Sequence, residues 1–171
     1  MALIKDRKLA ADNWQLLEAA ADGAALAIPD SGDVLVSLPE WKASREWLLS
    51  RSGRVGVWLT GADEPADIAS DLAHFALIAI RFANFADGRG YSIARLLRER
   101  YGWRGELRAV GDVQRDQLYY LARCGFDAFA LREGEDPQVA LTAFNDFSEA
   151  YQTSVDRPNP LFRRRESAGT L

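Results

Sequence analysis

Between residues 54 and 153, short apolar runs alternate with segments in which apolar positions recur every three to four residues. Arg54 to Thr60, RVGVWLT, is rich in β-branched and aromatic side chains and predicts a strand. Phe75 to Phe82 is a nearly continuous apolar run, the pattern of a strand covered on both faces. Glu106 to Val110 and Phe126 to Leu131 complete the series. The intervening segments read as helices: one from Pro65 carrying Ile68 and Leu72, and one from Ile93 to Tyr101 capped by Ser92. In the latter, Ile93, Leu96 and Leu97 form the buried stripe and Arg95, Arg98, Glu99 and Arg100 lie on the wet side. A third helix runs from Val113 to Arg123 and ends at Gly125 as a left-handed cap, and a long fourth one spans Pro137 to Thr153.

Residues 1–38 read as a short β lead-in. Trp14 and Leu16 to Leu17 open a strand or a short helix, and Val34 to Ser37 is a strand. Pro29-Asp30-Ser31-Gly32 has turn chemistry, so a hairpin is expected between Ala24–Ile28 and Val34–Ser37. Leu38-Pro39-Glu40 then starts a helix that stops at Gly53, with Pro39 in the first turn, where its missing N–H costs nothing.

Four strand-then-helix units in about 100 residues imply a parallel sheet. Four βα units are half of an eight-fold barrel, and the same units build an open doubly wound sheet. The barrel-like arrangement is favoured, because Arg81, Arg108 and Arg132 near strand ends suit a polar barrel mouth. The expected organisation is one α/β domain over residues 1–156, with its βα core at 54–153, and a mobile tail at 157–171. A half-barrel leaves free edges and an apolar face, which points to a homodimer.

Composition narrows the function. Of 171 residues 48% are hydrophobic, enough for a sizeable core, and the net charge of −4 argues against general nucleic-acid binding. No run reaches the roughly 18 apolar residues of a membrane span, and Asp6, Arg7 and Lys8 interrupt any signal-like start. The single cysteine, Cys124, excludes a disulfide framework or a thiolate-held cluster within the chain, and a cytoplasmic location is expected.

In both architectures ligands sit beyond the carboxyl ends of the strands. The loop Asn84 to Ser92 is the richest there: Gly88 and Gly90 let backbone approach a ligand, Arg89 offers a planar fork to an oxyanion, and Ser92 lies at a helix start. The same residues equally make an ordinary tight βα loop in which Asp87 caps a turn and Arg89 pairs with a neighbouring acid. Arg81 and Arg108 sit inside strands, where a guanidinium needs a partner, and join the candidate anion-binding set. Asp87 and Asp112 are the candidate acid/base groups, and for Asp112 the favoured reading is a cap on the helix after it through the N–H groups of residues 114 or 115. His74 falls at the start of a strand, away from that end, so a histidine-based triad or metal site is not expected. No P-loop or dinucleotide fingerprint occurs, and no cofactor or metal is expected.

The stretches Phe85-Ala86-Asp87-Gly88-Arg89-Gly90-Tyr91-Ser92 and Glu106 to Val113 resemble an uncharacterised bacterial family labelled as an oxidoreductase of sulfite reduction. The resemblance is specific over about residues 55–134 and looser over 30–54 and 135–152. It implies a place in sulfur assimilation, beside sulfite reductase or a related enzyme. One cysteine, one histidine and no nucleotide motif do not by themselves hold a siroheme, a cluster or a flavin. The implied role is therefore an accessory one, binding an anionic intermediate or docking on the reductase. A small-molecule enzyme acting on a phosphorylated or sulfated substrate is the alternative.

Overall fold

The computed structural model describes residues 2–18, 26–160 and 162–163. In chain order the elements are β1 (Leu3–Lys5), β2 (Lys8–Ala10), β3 (Gln15–Leu16), β4 (Val34–Ser37), α1 (Leu38–Ser50), β5 (Val55–Thr60) and a 3-10 segment (Pro65–His74). There follow β6 (Leu77–Phe82), α2 (Arg89–Glu99), β7 (Glu106–Gly111), a 3-10 turn (Arg115–Gln117) leading into α3 (Leu118–Arg123), β8 (Ala128–Ala130), α4 (Pro137–Thr142) and a last 3-10 turn (Ala143–Asn145).

The strands form one eight-stranded sheet in the order β2-β1-β8-β7-β6-β5-β4-β3, curled into a half-barrel. From β3 to β8 each strand lies parallel beside its successor, so the strand order never reverses as a doubly wound sheet requires. The sheet is nevertheless mixed, because β1 runs antiparallel to both β2 and β8. That hairpin went unread because its strands are three residues long and its two-residue turn, Asp6-Arg7, lacks glycine; both residues take positive φ, 50° and 60°.

Curling follows from chain length. β2 and β3 lie at opposite edges of the sheet, which seven flat inter-strand spacings would hold roughly 33 Å apart. Ala10 and Gln15 are joined by five residue steps, which span at most about 18 Å. The edges must therefore approach, and residues 11–18 cross the open side as a strap.

Side chains alternate between two faces. Val34, Val36, Val57, Leu59, Ile78, Ile80, Leu107 and Phe129 point to the helix-covered side, where they pack with Trp41, Ile68, Leu97, Leu121 and Phe144 in the main core. Leu35, Leu77 and Ala79 point the other way, to the inner face, and pack beneath Trp14 of the strap and Trp58.

Several expected elements are corrected. β4 has parallel partners on both edges, β3 and β5, so no hairpin joins it to the segment before it; residues 24–25 of that predicted hairpin lie outside the described residues. α2 begins at Arg89, so Ser92 lies within the helix and does not cap it; the Asp87 carboxylate accepts the Arg89 N–H instead, at 3.2 Å. Leu96 is 39% exposed, whereas Arg98, expected in water, is buried. The helix from Pro137 stops at Thr142, and 3-10 winding carries on to Asn145, because the apolar stripe is only about a turn long: Ala140, Ala143 and Phe144 are buried while Val139 and Phe147 are exposed. Of the predicted tail, residues 161 and 164–171 lie outside the described residues. No described helix is long and apolar enough to cross a membrane.

Two polar ties fix helices to the amino-terminal ends of the strands. Arg98 of α2 donates to the carbonyls of Gly125 at 2.8 Å, Trp103 at 2.9 Å and Gly105 at 2.8 Å, and to the Asp127 carboxylate at 2.8 Å, whose other oxygen accepts the Leu107 N–H. Burial pulls the Arg98 guanidinium below its usual range and pushes the Asp127 carboxyl up, which their pairing partly offsets. On the same helix-covered face, toward the other end of the strand order, Trp41 Nε1 and Arg45 both donate to Asp71, joining α1 to the 3-10 segment.

Arg98→Ala removes the side-chain donor from three carbonyls, that of Trp103 buried and those of Gly105 and Gly125 part-buried, and the counter-charge from Asp127, so chemical denaturation is expected to show a loss of about 3 kcal/mol. The Trp41 hydrogen bond, with Arg45, holds the Asp71 carboxyl below its ordinary 3.8. A depressed acid stabilises the fold above its unfolded pKa and loses that contribution as pH falls through the folded value. The stability gap between wild type and Asp71→Asn should thus be largest near neutral pH and close as the pH falls below about 4.

Candidate functional site

The inner face is built from the alternate residues of the same strands that bury Val57, Ile78 and Ala109 on the other side. Backbone register lays it out in rows. Ser37, Trp58, Ala79, Arg108, Ala128 and Lys5 follow one another across six strands, and Thr60, Arg81 and Val110 form the row nearer the carboxyl ends. Small residues in these rows leave room that the large ones do not fill. The result is a cavity of about 380 Å³ walled by Leu35, Trp58, Arg81, Arg108 and Val110 and roofed by Asp12, Trp14, Leu16 and Glu18 of the strap.

The two inner-face arginines differ in role. Arg108 is 3% exposed and fully engaged: Nη1 donates to both Asp12 oxygens at 2.9 Å, and Nε donates to Glu106 at 2.8 Å. Lys5 holds the other Glu106 oxygen at 2.7 Å. A buried guanidinium with two carboxylates is a structural clamp, tying the strap to β7. Arg81, one row up, has a side chain 41% exposed; it lies over the Trp58 ring at 5.4 Å and pairs with Glu18 of the strap. Trp58 in turn donates its Nε1–H to the Leu17 carbonyl at 3.4 Å.

Arg81, Trp58 and Glu18 also border a second, more open hollow of about 480 Å³ at the carboxyl ends of the strands, lined further by Ser37, Thr60 and Asp63. The three side chains thus stand between an apolar interior and the barrel mouth. A cation resting on an aromatic face at such a mouth can take the anionic group of a ligand whose apolar body lies inside.

The other residues singled out in the sequence lie around this site. The Arg89 fork is closed on Asp87, with both bonds at 2.9 Å, and this pairing holds the Asp87 carboxyl below the usual range. Gly88 precedes α2 in open space. Gly90 is required for packing: a Cβ there would meet the Phe82 ring at 2.8 Å. Asp112 accepts the Phe85 N–H at 3.0 Å, the Gln114 side chain at 3.1 Å and Arg132 at 3.3 Å, so it braces the neighbouring loop and not the helix after it. The N–H of Gln114 is taken by Gln117 and that of Arg115 by Glu135. Arg81 and Arg108 come together on the inner face, whereas Gly88, Arg89, Gly90 and Ser92 belong to the start of α2.

Asp12, Trp14, Glu18 and Trp58 escaped the sequence reading. Trp58 was legible, because Gly56, Trp58 and Thr60 alternate with the buried Val55, Val57 and Leu59 and must face the other way. The strap residues carry no local signal, since only the closure of the sheet brings them over it. Among the described residues no group of three or more His, Cys, Asp and Glu side chains could hold a metal ion. Cys124 is buried at the end of α3, and burial pushes its thiol up. His74, at the end of the 3-10 segment, contacts Arg45 at 3.3 Å, well away from the barrel mouth.

Fold and site together define a curled α/β half-barrel with a partly apolar inner cavity bordered by an arginine lying on a tryptophan. The chain belongs to the family described as "Bacterial protein of unknown function (DUF934)", whose model matches residues 56–162. A search of the curated proteins finds no match. The matched span carries β6–β8 and nearly all of β5, with Trp58, Arg81 and Arg108; the strap residues Asp12, Trp14 and Glu18 lie outside it.

Removing Asp12 leaves the Arg108 guanidinium buried with one carboxylate and frees the strap. Asp12→Ala is expected to cost about 1–3 kcal/mol in denaturant unfolding, because Glu106 still compensates the Arg108 charge, and to red-shift tryptophan emission as Trp14 is wetted.

Proposed function

We propose that the protein is an accessory binding module of assimilatory sulfite reduction that holds an anionic intermediate in the inner cavity. The observation that carries this reading is Arg81 lying on Trp58 between the apolar cavity and the barrel mouth. The position also agrees with the general rule that ligands of barrel-like α/β folds sit at the carboxyl ends of the strands. A flat organic body fits the aromatic and aliphatic wall, and a sulfate, sulfite or phosphate group fits the guanidinium. The pathway rests on the family resemblance of Phe85–Ser92 and Glu106–Val113, which implies sulfite reductase or a related sulfur-assimilation enzyme as the partner that receives or supplies the ligand. A second copy of the chain pairing along a free edge of β2 or β3 belongs to the same reading.

Reaction chemistry gains less from the geometry. Asp87 and Asp112 each accept several hydrogen bonds that shape the loops after β6 and β7. An enzyme on a phosphorylated or sulfated substrate would need one of them released.

Thermal-shift and calorimetric titration with sulfite, sulfate, phosphate, phosphosugars and adenosine 5′-phosphosulfate tests the reading. An organic oxyanion is expected to stabilise the wild type, and Arg81→Gln to weaken its binding by roughly tenfold or more, the worth of a charge-assisted hydrogen bond. Binding that survives Arg81→Gln unchanged, or no binding by the wild type, removes this assignment.

A further inference from the structure

Building on that reading, we infer that the Glu18 carboxylate is a built-in stand-in for the ligand's anionic group, so that ligand entry is an exchange of one carboxylate for another oxyanion on Arg81. Three observations carry this.

The first is charge balance. The inner-face guanidinium groups are already paired, Arg81 with Glu18 and Arg108 with Asp12 and Glu106. An incoming anion gains a counter-charge there only if one of these carboxylates withdraws into water.

The second is that the carboxylates differ in how readily they withdraw. Glu106 is 10% exposed and held by both Lys5 and Arg108, and Asp12 is bidentate on the buried Arg108. Glu18 is 48% exposed and pairs with an arginine that is itself 41% exposed. A pair this wet contributes little, so its separation costs little. The other two carboxylates leave a buried guanidinium behind them, which is far more costly.

The third is position. Glu18, Arg81 and Trp58 border both the inner cavity and the open hollow at the barrel mouth. Parting Glu18 from Arg81 joins the two spaces and exposes the guanidinium fork to the same direction from which a ligand enters. The Trp58 Nε1–H bond to the Leu17 carbonyl, next to Glu18, couples that movement to the ring that forms the wall.

The exchange makes Glu18 a competitor that sets affinity and selects for anions: a neutral analogue gains nothing on displacing it. The test is titration of adenosine 5′-phosphosulfate, with adenosine as the neutral control, into wild type, Glu18→Gln, Glu18→Ala and Arg81→Gln, followed by tryptophan fluorescence and calorimetry. Glu18→Gln and Glu18→Ala should bind the anion roughly two- to fivefold more tightly than wild type, the most that so exposed a pair can contribute, while adenosine binding is the same in all three. Inorganic sulfate alone should show the same ordering at weaker affinity. Wild-type binding that depends on Arg81, with either Glu18 variant binding no more tightly, overturns the stand-in and leaves the cavity assignment in place. No anion binding by any Arg81-bearing form overturns both. Circular dichroism of the exposed Glu18 variants confirms that they compare folded proteins.

Discussion

Five residue steps lie between the last residue of β2 and the first of β3, and those strands are the two outer edges of an eight-stranded sheet. Such a link cannot span a flat sheet, so the sheet is bent until its edges come within reach. The same link runs across the opening it creates, bringing Asp12 onto Arg108 and Trp14 over Leu35 and Leu77. A closed eight-stranded barrel fills its interior with its own side chains. Here the strap replaces the missing hydrogen-bonded closure, and the interior keeps unfilled space.

That space is chemically divided by depth. Arg108 lies in the row of Trp58, Ala79 and Ala128, is flanked by alanines on both neighbouring strands, and is engulfed by carboxylates. Arg81 lies one row nearer the carboxyl ends, between Thr60 and Val110, where solvent reaches it and one aromatic face supports it. Two residue positions on adjacent strands separate a guanidinium that holds the fold from one that is free to exchange partners. The energetic distinction is desolvation: the inner pair cannot part without exposing a charge to a dry wall, and the outer pair parts into water.

Sequence periodicity reached the strand-helix rhythm because β5, β6 and β7 are each six residues long and strongly patterned. Arg81 and Arg108 stood out for the same reason, as charges inside apolar runs. It did not reach the β1–β2 hairpin, whose three-residue strands hold too few positions to show a period and whose turn uses aspartate and arginine where glycine is usual. Nor did it separate Arg98 from Arg95. Both sit on α2 at helical spacing, and only the arrival of the Gly125 and Gly105 carbonyls from other segments turns Arg98 into a buried tie, while Arg95 pairs with Glu99 four residues on. For the loop from Asn84 to Ser92 the sequence left a ligand loop and a self-contained turn both open, because glycine, arginine and aspartate serve either. Its Gly90 meets Phe82, and its Arg89 meets Asp87.

The two ends of the barrel therefore carry different loads. At the amino-terminal ends of β7 and β8, Arg98, Asp127 and the surrounding carbonyls form a network in which every partner is taken. At the carboxyl ends, Arg81 keeps a wet carboxylate partner, Glu18, beside unfilled volume. The family-matched span supplies the sheet wall and this arginine, and the strap that covers them comes from residues before it. The covering segment is tied firmly to the buried Arg108 at Asp12 and loosely to the exposed Arg81 at Glu18; the first contact stabilises the fold, and in the proposed exchange the second sets what the cavity admits.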